Sequence, residues 1–306
     1  MTKANKKKTQ KLSSVKRKRL IFYSLMIALP LLQFLIFYVF VNFNSIILSF
    51  KEYDLFTETY SFAGFKNYQR FFIELTSVQK ITESLKNSLL LYVIGFLTGS
   101  IPTIVFSFYI YKKKIGATFF RLMLFAPQII SSLALVLMFM YFSERAIPAL
   151  VLTLFKQTIT INIDFGLVMF YSIMSSFGTT ILLYVSSMSS IPESLVEVGK
   201  LEGISPIKEL IYITIPMIYP IFITFVITGI SSIFLSQMSL FDFFGLDAAN
   251  KDYTFGYYLY RTIKHHDTTI ADYPYLSAIG VVLTFVTLPV VLLVKKLMEK
   301  YGPSAD

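Results

Sequence analysis

Six long apolar stretches constrain this chain more than any other feature. They run over 20–49, 87–111, 119–142, 165–188, 211–236 and 276–294, each long enough or nearly so for a hydrocarbon core that needs about 20 helical residues. Their interiors hold no Asp, Glu, Lys, Arg or His apart from Arg121 near the start of the third, so no buried charge marks an ion or proton path. The reading is an all-α, multi-pass membrane protein with six transmembrane helices. Composition agrees: 55% of the residues are hydrophobic, 15% are charged, and the charges gather between the apolar runs.

A basic leader precedes the first stretch, as in a signal peptide. The apolar run from Leu20 to Phe50 is too long for one and no small-residue cleavage site follows, so it reads as a retained helix. Pro30 inside it predicts a kink, because proline removes a backbone donor. The Lys-rich leader itself, 1–19, is expected to be disordered and drawn to anionic membrane lipid.

Lys and Arg set the orientation. The segments before the first stretch, at 112–121, at 189–210 and after 294 hold 18 basic and 6 acidic residues, whereas those at 50–86, 143–164 and 237–275 hold 10 and 12. The first set is expected in the cytoplasm together with both termini. The exterior segments carry enough polar residues to form small folded caps, and Tyr257, Tyr258, Tyr260, Tyr273 and Tyr275 are expected in an interfacial aromatic belt.

A net charge of +10 raises the question of nucleic acid, but the basic blocks lie beside apolar spans and read as orientation signals. With no cysteine and two histidines, thiolate metal sites, iron–sulfur ligation and a cysteine nucleophile are excluded. His265 and His266 beside Asp267 read as solvated surface, and no nucleophile, base and acid arrangement recommends an enzyme. The chain has no G-x-x-x-x-G-K-[ST] loop, so it does not handle ATP alone.

The most informative stretch runs from Ser190 to Gly203. Pro192 suits a first helical position with Ser190 or Ile191 at the cap, and Glu193 places negative charge near the positive end of the helix dipole. Leu195, Val198 and Leu201 recur on one side, while Glu193, Glu197 and Lys200 fall largely on another. Gly203 stops the helix through a left-handed backbone, and Ser205-Pro206 starts a new one. An acidic face is repelled by an anionic leaflet, so docking into a protein groove is the better use of this helix than lying on lipid.

These residues carry a family resemblance. Glu197-Val198-Gly199, three residues, Gly203, nine residues and Ile213-Thr214-Ile215-Pro216 resemble the EAA loop of binding-protein-dependent ABC importer permeases, Glu-Ala-Ala, three residues, Gly, nine residues, Ile-x-Leu-Pro. Val198 and Gly199 replace the two alanines and Ile215 the leucine. The likeness extends over nearly the whole chain and is nearest the carbohydrate permeases of the larger maltose-transporter type. Phe62-Ala63-Gly64-Phe65-Lys66-Asn67-Tyr68 is similar to their Phe-x-Gly-x-x-Asn-Tyr, Arg121 through Pro127 to their Arg-x-x-x-x-x-Pro, and Tyr257 through Arg261 to their aromatic exterior helix. Where the family often has Gly-Gly-Pro after the fifth span, Phe241-Asp242-Phe243-Phe244-Gly245 stands instead.

The resemblance implies a type I ABC importer (MetI-like) permease core. Residues 20–298 then form the transmembrane domain, an extra first helix plus a five-helix core with the coupling loop at about 190–210, and 299–306 form a cytoplasmic tail. It implies a second homologous permease, two ABC ATPase subunits that hold ATP and magnesium, an extracellular solute-binding protein and a carbohydrate solute, with glycerol phosphate or a similar polyol derivative as the nearest variation. Glu193, Glu197, Val198, Gly199, Leu201, Glu202, Gly203, Ser205 and Pro206 would couple to the ATPase. Ser176, Phe177, Gly178, Thr179 and Thr180 of the fourth span and Ser232, Phe234 and Ser236 of the fifth would line the solute path. Hydroxyls and rings suit a sugar, although Ser, Thr and Gly also serve helix packing in membranes. An ion-coupled secondary transporter and a non-transporting scaffold or sensor are the rival readings. The first would need ionisable groups or broken helices at mid-membrane, and the second leaves the loop's spacing unexplained.

Overall fold

The computed structural model describes residues 3–264 and 269–303; His265, His266 and Asp267 lie outside them. Among the described residues six helices are long and apolar enough to cross a membrane: Lys16–Ser49, Gln79–Tyr111, Ser132–Phe155, Phe165–Ser189, Pro206–Ser232 and Ile270–Tyr301. The chain divides into two compact units, Met1–Phe71 with Thr269–Val282, and Phe72–Thr268 with Leu283–Asp306.

In the first unit, α1 (Lys3–Gln33) passes through a π-helical stretch at Phe34–Phe40 into α2 (Val41–Ser49). The π register begins one turn beyond Pro30, where a kink is expected. The leader differs from the expectation of disorder: α1 starts at Lys3, since Lys, Arg and Gln are good helix formers and the apolar helix behind them supplies the nucleus.

A small antiparallel hairpin then adds the only strands among the described residues, β1 (Lys51–Asp54) and β2 (Thr59–Phe62), with Lys51 opposite Phe62. It leads into α3 (Lys66–Ser77). The Phe62–Tyr68 motif has a physical reason here. Gly64 takes a left-handed φ of 59°, and the buried Asn67 amide donates to the carbonyls of Ser49 (3.0 Å) and Lys51 (2.7 Å), tying the helix end to the hairpin. Tyr68 shares a hydrogen bond with Ser49 Oγ (2.6 Å), and its ring packs with Phe50 and Phe65.

The second unit is built on α4 (Gln79–Tyr111), α8 (Phe165–Ser189) and α11 (Ile215–Ser232). Between α4 and α8 lie α5 (Ala117–Phe125), α6 (Ser132–Tyr141) and α7 (Ile147–Phe155). This region corrects the third span. The expected helix at 119–142 is interrupted: Pro127, unable to donate, sits in a single 3-10 turn at Ala126–Gln128, and Ser131 caps a new helix by accepting from the Ala134 N–H at 3.3 Å. The span instead continues through a π-helical turn at Phe142–Ala146 to Phe155, so the cap expected over 143–164 shrinks to the segment from Lys156 to Asp164. Glu144 and Arg145 therefore belong to the helix. A π turn also sits at Leu210–Thr214. Each of these two π turns stands just ahead of a proline, Pro148 and Pro216, whose ring would clash with the carbonyl four residues back in a tight α turn.

At one end of this unit, α12 (Leu240–Phe244) and α13 (Phe255–Lys264) fold over a core of Val136, Val168, Tyr171, Phe243, Tyr253 and Tyr257. Asn87 fastens this cap by donating to the carbonyls of Lys251 (2.8 Å) and Tyr253 (2.9 Å), while Ser88 Oγ accepts from the Phe255 N–H at 2.8 Å. The expected aromatic belt is corrected accordingly. Tyr257 is fully buried and donates to Gly245 O (2.8 Å), and Tyr275 is buried in the other unit beneath the Arg70 guanidinium at 4.1 Å.

Candidate functional site

At the opposite end of the second unit, α8 leads into α9 (Glu193–Leu201) and α10 (Pro206–Glu209). Pro192 is the cap of α9 and not its first helical residue: its ψ of 128° is extended, and its carbonyl accepts from Leu195 N–H at 3.1 Å. The exit from α9 follows the pattern by which left-handed glycines end helices. Gly203 has φ 67°, its N–H donates to Lys200 O (3.1 Å), and the Ile204 N–H donates to Gly199 O (3.1 Å). Ser205 then caps α10, accepting from Lys208 N–H at 3.4 Å, with Pro206 in the first helical position.

The faces of α9 are unequal. Val196 is buried in a cluster with Tyr184, Met188, Ile191 and Ile218, and Gly199 is buried beside it. A Cβ on Gly199 would stand 2.7 Å from Ile204 Cδ1 and 3.0 Å from Ile213 Cδ1, so the glycine seats these two side-chain tips closely against α9 at a position where an alanine is expected. Glu193, Glu197, Glu202, Ser205 and Pro206 are exposed, and so are the apolar Leu195, Val198 and Leu201, the last at 88%. The helix thus anchors through Val196 and Gly199 and presents a mixed apolar and acidic face outward.

Between α4, α8 and α11 lies a cavity of about 360 Å³. Of the residues expected on the solute path, Ser176, Phe177, Thr180, Ser232 and Ser236 line it. Gly178, Thr179 and Phe234 do not. Gly178 is a packing residue, since a Cβ there would fall 2.1 Å from Leu124 O. Thr179 is exposed away from the cavity, and Phe234 packs edge-on against Phe255 at 6.1 Å.

The cavity wall that sequence reasoning missed is α4, which contributes Tyr92, Gly95, Phe96, Gly99, Ser100 and Thr103. Small residues at every fourth position, Gly95, Gly99, Thr103 and Ser107, were the available signal. They let α4 lie close to α8, where Ser107 Oγ donates to Ile181 O at 3.3 Å.

The lining is largely apolar and aromatic with hydroxyls set into it, and it is uncharged: no carboxylate, amine or guanidinium stands among its residues. Ser176, Thr180 and Ser232 donate to carbonyls of their own helices, Ile173 O (3.0 Å), Ser176 O (3.1 Å) and Thr228 O (2.9 Å). Their oxygen lone pairs remain able to accept hydrogen bonds from a solute's O–H groups. Tyr92, Phe96, Phe177 and Phe222 supply ring faces around them.

Comparison with known proteins agrees with this arrangement. Residues 87–303 match the family described as binding-protein-dependent transport system inner membrane component. A probable ABC transporter permease protein of Bacillus subtilis (strain 168), YurN, is 25% identical over 279 residues, covering 88% of this chain and 94% of that protein. The multiple sugar-binding transport system permease protein MsmF of Streptococcus mutans serotype c is 24% identical over 278 residues, covering 89% and 93%. In fold, the chain is similar to a crystal structure of a bacterial ABC transporter involved in the import of the acidic polysaccharide alginate, with a TM-score of 0.74 at 17% identity over 96% of this chain and 99% of the other. It is equally similar, at a TM-score of 0.74 and 17% identity over 95% and 98%, to the bacterial alginate ABC transporter in complex with an alginate pentasaccharide-bound periplasmic protein. The all-α, six-span architecture is that of the type I importer permeases, membrane subunits whose ATPase is a separate chain. With more than half its length matched, the chain belongs to the binding-protein-dependent transport system inner membrane components, the permease family of ABC importers.

Proposed function

We propose that this permease forms half of the pathway of an ATP-driven importer for a sugar or oligosaccharide and is coupled to its ATPase through α9. The observation that carries the coupling is the outward face of α9. Leu195, Val198 and Leu201 are exposed beside Glu193, Glu197 and Glu202 on a helix whose other face is fixed in the bundle. Apolar side chains beside three exposed carboxylates and one lysine, Lys200, suit a groove in a protein partner better than an anionic membrane surface.

In this reading the α9 end is cytoplasmic, in keeping with the bias of Lys and Arg. A second, homologous permease completes the pathway, two ATPase subunits hold ATP and magnesium, and an extracellular binding protein delivers the solute. The cavity hydroxyls and rings support a carbohydrate, as do the sugar-transport name of the Streptococcus relative and the alginate named for the solved transporters. Closure of the ATPase pair would carry α9 with it, and the movement would reach the cavity through α10 and the π turn ahead of Pro216. Both ATP and loaded binding protein must favour the outward-open form for such a shift to occur.

Co-purification tests the coupling. Glu197→Lys or Gly203→Leu should release the ATPase while the permease stays in the membrane, and undiminished ATPase retention would refute the role given to α9.

A further inference from the structure

The turn between α4 and α5 holds a second pocket, of about 330 Å³, separate from the cavity among α4, α8 and α11. Lys113, Lys114 and Arg121 line it together with the hydroxyls of Thr118 and Ser189, and no acidic residue does. Lys113 and Gly116 take left-handed backbones (φ 50° and 77°), which turns the chain sharply between the two helices. The neighbouring ammonium of Lys112 is already paired with Glu209, so the charge in the pocket is additional to what that ion pair uses.

We propose that this pocket binds the phosphate of an anionic phospholipid headgroup. Three cations and the Thr118 hydroxyl lining one pocket suit a phosphate, which the planar guanidinium of Arg121 can meet with two hydrogen bonds; the Ser189 hydroxyl already donates to Val185 O (2.7 Å). Basic pockets at the ends of membrane helices are the setting in which acidic headgroups are held. A free phosphate ion would use only that part. Beside the pocket, on the same turn and on α5, Ile115 (94% exposed), Phe119 and Leu122 present apolar surface outward. Charge and adjoining apolar surface together match an amphiphile, with the phosphate in the pocket and the acyl chains on those side chains. Placement in the inner leaflet rests on the orientation proposed above; the binding itself does not.

Native mass spectrometry of the purified full-length chain in detergent, with phosphatidylglycerol or phosphatidylcholine of equal acyl length, tests it. The wild type should retain phosphatidylglycerol over phosphatidylcholine, and excess inorganic phosphate should not displace it. The triple variant K113Q/K114Q/R121Q should lose phosphatidylglycerol affinity by about a hundredfold, at about fivefold per charge removed, with phosphatidylcholine unchanged. Absence of a headgroup preference in the wild type overturns the proposal, and that arm decides the matter even if the variant does not fold. Displacement by inorganic phosphate would make this a free-anion site and likewise overturn it. So would a triple variant that keeps its lipid but loses the ATPase, since the pocket would then be a protein-docking surface. Loss of lipid with ATPase retained supports the pocket whether or not α9 couples as proposed.

Discussion

The ammonium of Lys112, at the C-cap of α4, pairs with the carboxylate of Glu209, the last residue of α10, and their side chains are only 18% and 9% exposed. The pair ties the segment that follows α9 to the helix that forms one wall of the cavity. Removing one partner strands the other's charge where little water reaches it, and the attraction that offset its desolvation is lost. Lys112→Met or Glu209→Gln should each destabilise the purified permease by about 3 kcal/mol, the low end for a buried pair because the lysine is partly wet. The double variant should lose less than the sum of the two. Thermal unfolding of the four proteins in detergent measures this, and strictly additive losses would show that the pair is not coupled.

Two glycines distinguish tight packing that can yield from packing that cannot. At Gly199 a new methyl meets the tips of Ile204 and Ile213, side chains able to swing aside, and alanine improves helix propensity by about 1 kcal/mol. Gly199→Ala should therefore be close to neutral. At Gly178 the obstacle is the backbone oxygen of Leu124, so Gly178→Ala must push α8 away from α5, at a cost of about 3 kcal/mol or more. Melting temperatures of the two variants should differ clearly, with Gly178→Ala the lower.

Asn67 gives a local prediction. Asn67→Ala removes donors from the carbonyls of Ser49 and Lys51, in a buried setting, at about 1–3 kcal/mol. Limited proteolysis should find the hairpin at Lys51–Phe62 cut faster in the variant, with the cleavage pattern of the second unit unchanged.

Asp252 supplies a pH dependence. Burial raises its carboxyl pKa above the ordinary range, and Asp164 adds to this, while Lys251 opposes it. An acid whose folded pKa is raised binds its proton more tightly in the native state. Its penalty is therefore absent below the ordinary carboxyl pKa, grows as pH rises through the window up to the raised value, and is complete above it. Asp252→Asn should raise the melting temperature at pH 7, and the gap from wild type should close as the pH is lowered through that window. A gap that widened on acidification would contradict the sign.

The sequence made much of this fold legible, in ways that depend on which forces leave a local trace. Charge-free apolar length marked the spans because lipid demands it, and Gly203 followed by Ser205-Pro206 marked the end of one helix and the start of the next because each residue acts on its own backbone. The third span escaped because its signals conflict: Pro127 and Ser131 interrupt an apolar run, whereas Glu144 and Arg145 resemble an exit yet lie in a helix that continues to Phe155. Tyr257 was legible as an aromatic near the membrane surface, but its burial depends on Gly245, Ala248 and Tyr253 folding over it, contacts that no local pattern announces. Among the residues expected to line the path, serine and threonine look alike whether they face a cavity or a neighbouring helix, and only the rotation of α8 places Thr180 in the lining and leaves Thr179 outside.

Gly99 is where the missing wall of the cavity can be tested. It lies on α4 facing the space shared with Ser176 and Ser232, and a Cβ there would meet no heavy atom within 4 Å. Alanine fits that space and relieves the helix of a glycine worth about 1 kcal/mol, so Gly99→Ala should be at least as stable as the wild type and should still transport. Gly99→Phe adds a ring on the side where a Cβ meets no neighbour and should occupy part of the cavity in place of solute. Its melting temperature should stay near that of wild type while uptake by the assembled transporter falls at least about tenfold, a loss equivalent to about 1.4 kcal/mol of solute binding. Unimpaired uptake with Phe at position 99 would mean that solute crosses elsewhere, and a fall in stability matching the fall in uptake would mean that the space is too small to be a passage.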